Sequence, residues 1–298
     1  MRDATLPLGS HDERVVAIAR PARRGGGTFG DYSVIAPLAR GGMGGVYLAV
    51  HRVTTERVAL KVLDPQFANH GEVVRRLFAE HAIASRVRHR GVVDIRSAAR
   101  NADGVPFLVM EFLDGETLGA SADRETLALP AIVSIAADVA AAAAALHARG
   151  VVHCDLKPDN MFVLRDGRVK LIDFGVSRLV EEPPEDETIA GTPWCMAPEQ
   201  WDGAPTPASD VYSLGCTLYE LTTGAPPFAG SLPELMIAHL EQRPARPSWL
   251  RAMPIELERL ILRALAKHAD ERPTMCELAY ELAELAAWNV VQDLRAAG

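Results

Sequence analysis

Two periodicities divide the chain. Over 32–35, 46–50, 58–63 and 106–110 apolar residues form short runs or alternate with polar ones, the pattern of strands. One stretch in this half differs: over 72–87, Val73, Val74, Leu77 and Phe78 recur at helical spacing. After Gly115 the helical period takes over. Pro130 opens a long helix that reaches His147 and is stopped by Gly150, and further helices are predicted over 208–223, 231–239, 254–267 and 274–294. Residues 1–28 keep no sustained period and close on a glycine run, which predicts a flexible extension. The expected architecture is α+β, with a small strand-rich half carrying one main helix (29–111) and a larger helical half (112–298).

Composition narrows the function more than the fold. The 298 residues are 48% hydrophobic and 23% charged, ordinary for a globular chain. A net charge of -8 argues against broad phosphate-driven nucleic-acid binding, which needs a basic face. The basic stretch 20–24 reads as tail rather than docking arm. The 4 cysteines are widely spaced without a CxxC pair, which indicates neither a zinc site nor a disulfide framework and predicts a reducing cytoplasm. The longest apolar run, 139–146, is too short for a bilayer, and the N-terminus lacks the apolar core of a secretory signal, so no membrane span is expected.

The candidate chemistry lies in four places. The stretch LARGGMGGVY (38–47) stands between two predicted strands, where glycines let main-chain N–H groups approach a polyphosphate. Such a cluster alone is as often a plain turn. Lys61 sits inside the strand 58–63, where a lysine is usually an edge residue with a solvated head; Glu80 on the following helix offers it a partner. The decisive pair is VVHCDLKPDN (151–160) followed by KLIDFG (170–175). There Asp155 can orient a hydroxyl and take its proton, Asn160 and Asp173 can hold Mg²⁺ through oxygen, and Lys157 can neutralise charge on a phosphoryl group.

Together these residues resemble the protein-kinase family, and in particular the eukaryotic-like (Hanks-type) serine/threonine kinases of bacteria. The resemblance runs from about Tyr32 to the C-terminus and rests on the glycine loop, VALK (58–61), HCDLKPDN (153–160), DFG (173–175) and APE (197–199). It implies a bilobal kinase fold, ATP with Mg²⁺ (Mn²⁺ as the alternative) and protein substrates with Ser or Thr acceptors. Ala39, Arg40, Gly41, Gly42, Met43 and Gly44 would form the loop over the phosphates, and Val46 and Ala59 the roof over adenine. Met110, Glu111 and Leu113 would be gatekeeper and hinge, with Phe162 beneath the ring. Lys61, positioned by Glu80, would hold the α- and β-phosphates. Asp155 would be the base, Asn160 and Asp173 the metal ligands, and Thr192 would bond Asp155 and Lys157. The resemblance also implies a Glu199–Arg272 pair, a bond from Asp210 to the backbone near His153, and His153 packed beneath Phe174. DLKPDN and GTPW (191–194) match serine/threonine rather than tyrosine kinases.

Two positions depart from the family pattern. Ala39 replaces the first loop glycine, for which a modest effect on nucleotide affinity is expected because alanine tolerates positive φ poorly. Cys154 replaces the arginine that directly precedes the base in most relatives and receives a phosphorylated activation-loop residue. Cysteine cannot do so, which implies an enzyme independent of activation-loop phosphorylation, with a regulatory partner protein as its expected input. The acidic run 181–187 before Thr188 reads first as a solvated loop and second as a phosphate mimic. A redox switch of Cys154 and Cys195 would need an accessible thiolate. Two rival functions share part of the pattern. A pseudokinase-like ATP-binding scaffold would not need every catalytic position filled, and small-molecule kinases typically lack DFG followed by APE.

Overall fold

The computed structural model describes residues 28–180 and 191–296, with side chains as far as Trp288. The expected extension up to residue 27, the acidic run 181–187 and Thr188 lie outside the described residues. Strands β1 (Thr28–Phe29), β2 (Tyr32–Gly41), β3 (Gly44–His51), β4 (Arg57–Leu63), β5 (Ile95–Arg100) and β6 (Pro106–Glu111) build one antiparallel six-stranded sheet in the order β1-β2-β3-β4-β6-β5. Alternation explains β4: Val58, Leu60 and Val62 turn to one face and join Ala49, Phe107 and Val109 in a small core, leaving Ala59 and Lys61 on the other. Helix α1 (Gly71–Ala84) buries Val74, Leu77, Ile83 and Ala84, and Glu80 lies on that same apolar face. A carboxylate there is costly unless a cation meets it.

Strand β5 was not evident in the sequence. Its residues, IRSAAR, are buried only at Ile95 and partly at Ala98 and Ala99, so no period-two pattern marks it; pairing with β6 creates it.

The larger lobe follows as β7 (Gly115–Thr117), α2 (Leu118–Arg124), α3 (Leu129–His147), β8 (Val151–Val152), β9 (Met161–Leu164), β10 (Val169–Leu171), β11 (Arg178–Leu179), α4 (Pro198–Trp201), α5 (Pro207–Thr223), α6 (Leu232–Glu241), α7 (Ile255–Ala264) and α8 (Met275–Ala296). Two small sheets, β7-β9-β10 and β8-β11, carry the chemistry-bearing turns. Taken whole, α3 is long and apolar enough to span a bilayer by length and composition, which the short run 139–146 did not reveal. It instead forms the centre of this lobe: Ile132, Val133, Val139, Ala140, Ala143 and Leu146 are buried within the main core. Its alanines let α5 and α8 approach closely, the role their small size predicts. At α5 the same device recurs, where a Cβ on Gly215 would stand 2.9 Å from that of Ala264. Sheet-bearing lobe and helical lobe together give the bilobal kinase architecture.

Candidate active site

The glycine stretch is a hairpin. Ala39, Arg40 and Gly41 close β2 opposite Val46, Gly45 and Gly44, so only Gly42 and Met43 lie outside the ladder. Ala39 does not have positive φ, and neither do Gly41, Gly42 or Gly44. The expected cost of Ala39 therefore does not arise from backbone strain. Gly44 is required for another reason: a Cβ there would sit 2.1 Å from the carbonyl oxygen of Val62, whereas one on Gly41 or Gly42 would meet nothing. Val46 pairs with Lys61 and Ala59 with Met110, which sets these residues along one edge of the cleft. Glu111 ends β6, and its Oε1 accepts from Lys170 Nζ (2.6 Å) and from the Asp94 N–H (2.8 Å). This ties the strand before DFG to the end of β6. Leu113 packs on the main core just beyond β6, and Phe162, half-buried on β9, pairs with Lys170.

Lys61 Nζ donates to both oxygens of Glu80 (2.9 and 2.7 Å) and to Asp173 Oδ1 (3.2 Å). Burial works against the ammonium, but the two carboxylates outweigh it and raise its pKa. Burial likewise pushes the Glu80 carboxyl up, against the pull of Lys61. Asp173 moves the other way: despite burial, Lys61 and the Gly175 N–H hold it below the usual carboxylate range. Asp173 has φ of 120°, in the region glycine favours. A Cβ on Gly175 would stand a tight 3.2 Å from both Asp173 Oδ1 and Glu80 Oε1, so a side chain there would press on this ion-pair cluster.

Around Asp155 the bonds come from its own loop and from the stretch that carries Thr192. Oδ2 pairs with Lys157 Nζ (3.0 Å) and accepts from Asn160 Nδ2 (2.9 Å), which also donates to the Asp155 carbonyl. Lys157 in turn donates to Thr192 Oγ1 (2.7 Å). Thr192 thus reaches Asp155 through Lys157, without the direct bond expected of it. Asp155 Oδ1 is buried and has no partner, an acceptor left open. With its nitrogen engaged, Asn160 has its amide oxygen to offer a cation, and Asp173 supplies a carboxylate. Among the described residues no three His, Cys, Asp or Glu side chains gather as a metal cage. Two oxygen ligands suit a small hard cation that keeps waters and shares phosphate oxygens with a nucleotide.

The backbone beneath is anchored by Asp210, fully buried, whose oxygens accept from the N–H groups of His153 and Cys154 (both 2.8 Å), with His147 Nε2 at 2.8 Å. The His153 ring packs on Phe174 with centroids 5.2 Å apart, and burial lowers its pKa, keeping it neutral. Glu199 and Arg272 form a two-pronged pair (2.7 and 2.9 Å). The thiols of Cys154 and Cys195 are buried, and burial pushes both well up, so neither is a ready thiolate.

A profile of the protein kinase domain matches residues 32–281. The chain belongs to the protein kinase family. It is 40% identical over 253 residues to the serine/threonine-protein kinase Pkn1 of Myxococcus xanthus, covering 82% of this chain and 36% of that protein. With PkaA of Streptomyces coelicolor it shares 38% over 267 residues (83% and 48%), and with PknD of Mycobacterium tuberculosis 37% over 254 residues (83% and 38%). The kinase chain therefore spans less than half the length of each of these relatives. These similarities place it with the bacterial Hanks-type protein kinases. No role was evident in the sequence for Gln200, nor for Lys170 within its motif, because each acts on a residue far along the chain.

Proposed function

We propose that this chain transfers the γ-phosphate of ATP to serine and threonine hydroxyls of proteins, with Asp155 as the base. The open, buried Oδ1 of Asp155, beside an oxygen already held by Lys157 and Asn160, carries the reading. The acceptor O–H gives its proton to Asp155 as its oxygen attacks the γ-phosphorus, and the bond to the bridging oxygen breaks to release ADP. Lys157 neutralises charge on the phosphoryl group in flight, and Thr192 holds Lys157. Asn160 and Asp173 would hold Mg²⁺, with Mn²⁺ able to stand in; when bound, the ion supplies charge neutralisation at the phosphates. Lys61, oriented by Glu80, takes the α- and β-phosphates under the hairpin of Ala39, Arg40, Gly41, Gly42, Met43 and Gly44. Val46, Ala59 and Phe162 enclose adenine, and Met110, Glu111 and Leu113 bond its edge. Preformed positioning and charge supply most of the acceleration.

Cys154 supports a second element of the proposal: activity does not await phosphorylation of the activation segment. A buried thiol in place of a guanidinium cannot receive a phosphate. Four free cysteines, one of them exposed, support a reducing cytoplasm as the place of action. The test is phosphate transfer from Mg²⁺-ATP to an unstructured acceptor protein, followed by phosphoamino-acid identification. Phosphoserine or phosphothreonine from the wild type and equally from Thr188→Ala is expected. Loss of transfer in Thr188→Ala would remove phosphorylation independence, and nucleotide binding without transfer by the wild type would favour the scaffold.

A further inference from the structure

We infer that Gln200 is a positioning residue for the base, an uncharged latch that holds the catalytic loop through the carbonyl of Cys154; this rests on the kinase reading above. Gln200 is 2% exposed and follows directly on APE. Its side-chain amide has a determined orientation. The Ala197 N–H can only donate, so the atom it meets at 3.0 Å is Oε1. The opposite atom is therefore Nε2, and it donates to the carbonyl oxygen of Cys154 at 2.9 Å. That carbonyl belongs to the peptide that leads into Asp155.

Cys154 needs such a hold. Its φ is 67°, in the left-handed region that a residue with a Cβ keeps only when its surroundings impose it. The N–H side of the residue is fixed by Asp210 and the carbonyl side by Gln200. Gly191 closes the junction: a Cβ on it would lie 3.0 Å from the Cys154 oxygen and 3.2 Å from Gln200 Nε2. The next residue, Thr192, holds Lys157, and Lys157 holds Asp155. A run of contacts thus leads from Asp155 through Lys157 to Thr192, whose neighbour Gly191 lies against the Gln200 amide and the Cys154 carbonyl. A neutral amide at this junction asks for no phosphate, so the segment bearing Thr192 stays registered on the catalytic loop without an arginine at 154. Where a buried acceptor loses its donor, the cost falls on that acceptor and the loop relaxes.

The test compares wild type, Gln200→Glu and Gln200→Met in steady-state transfer, in thermal melting and in amide hydrogen exchange of the segment 152–157. Glutamate keeps the shape but cannot donate to Cys154; methionine removes the amide without adding a buried charge and keeps the comparison open if the glutamate variant fails to fold. Expected is a fall in kcat of roughly 10- to 100-fold with the KM for ATP unchanged, together with faster exchange in 152–157. A variant that melts lower but keeps wild-type kcat and wild-type exchange in that segment would overturn the inference and leave Gln200 a packing residue. Failure of the underlying reading shows separately, as a wild type that transfers nothing, and the exchange comparison still decides the latch in that case.

Discussion

Asp155 owes its setting to Lys157 and Asn160 on its own loop and, through Lys157, to Thr192, and each can be removed singly. Asn160→Ala deletes the donor to Oδ2 and one proposed metal ligand together, so it should lower kcat and raise the Mg²⁺ concentration needed for half-maximal rate. A magnesium titration checks this, and an unchanged requirement would take Asn160 out of the metal site. At the same scale, His239 predicts acid sensitivity. It is fully buried, and burial first, then Lys267, depresses its pKa from 6.5 to about 4. In the unfolded chain it takes up a proton below about pH 6.5, and in the folded one only below about 4. Between those values the unfolded state binds more protons, so stability falls as pH drops, by on the order of 3 kcal/mol for this one group at the lower end. Buried, neutral His153 works in the same direction. Denaturant titrations between pH 7 and 4.5 should show the loss, and His239→Gln should flatten it. The gathering of Asp155, Asn160 and Asp173 was legible in sequence, because a hydroxyl acceptor and a hard cation would ask for those groups together. Gln200 was not, because nothing local shows that an amide after APE meets a carbonyl 46 positions earlier.

At the scale of elements, two joints hold the site in register. The first is β3 against β4. Gly44→Ala drives a methyl into the Val62 carbonyl, so it should lower the melting temperature and raise the KM for ATP, while Gly42→Ala leaves the melting temperature unchanged. Equal melting of the two variants would mean that the ladder at Gly44 can open without cost. The second joint ties α4 to the turn before α8. The Arg272 side chain is fully buried on Glu199, and Ser209 also donates to that carboxylate. Arg272→Ala leaves a largely buried carboxylate without its cation, and a loss of about 3–5 kcal/mol is expected in equilibrium unfolding. Periodicity revealed β4, β6 and the long helices, whose apolar residues are buried. It missed β5 and the two-residue strands β8 and β11, whose existence depends on partners rather than on their own pattern.

For the whole molecule, the sheet-bearing lobe carries Lys61 and Glu80, and the helical lobe carries Asp155, Asn160 and Asp173. The Lys61–Asp173 contact at 3.2 Å joins them in an assembled cleft. The main core runs from α1 through Leu108, Leu171 and Phe174 into α3 and α5, so the two halves share packing rather than only a connecting strand. That continuity is what the division of the sequence at residue 111 could not convey, since the periodicities change there while the core does not.

On the proposed reading, this assembled cleft performs phosphoryl transfer with Asp155 as base. Intact-mass and peptide spectrometry after incubation with Mg²⁺-ATP and an acceptor protein, for wild type and Asp155→Asn, test it most directly. Phosphate on serine or threonine is expected from the wild type, and in Asp155→Asn a rate lower by roughly 10²- to 10⁴-fold with unchanged melting temperature. Equal incorporation by the two proteins would contradict it.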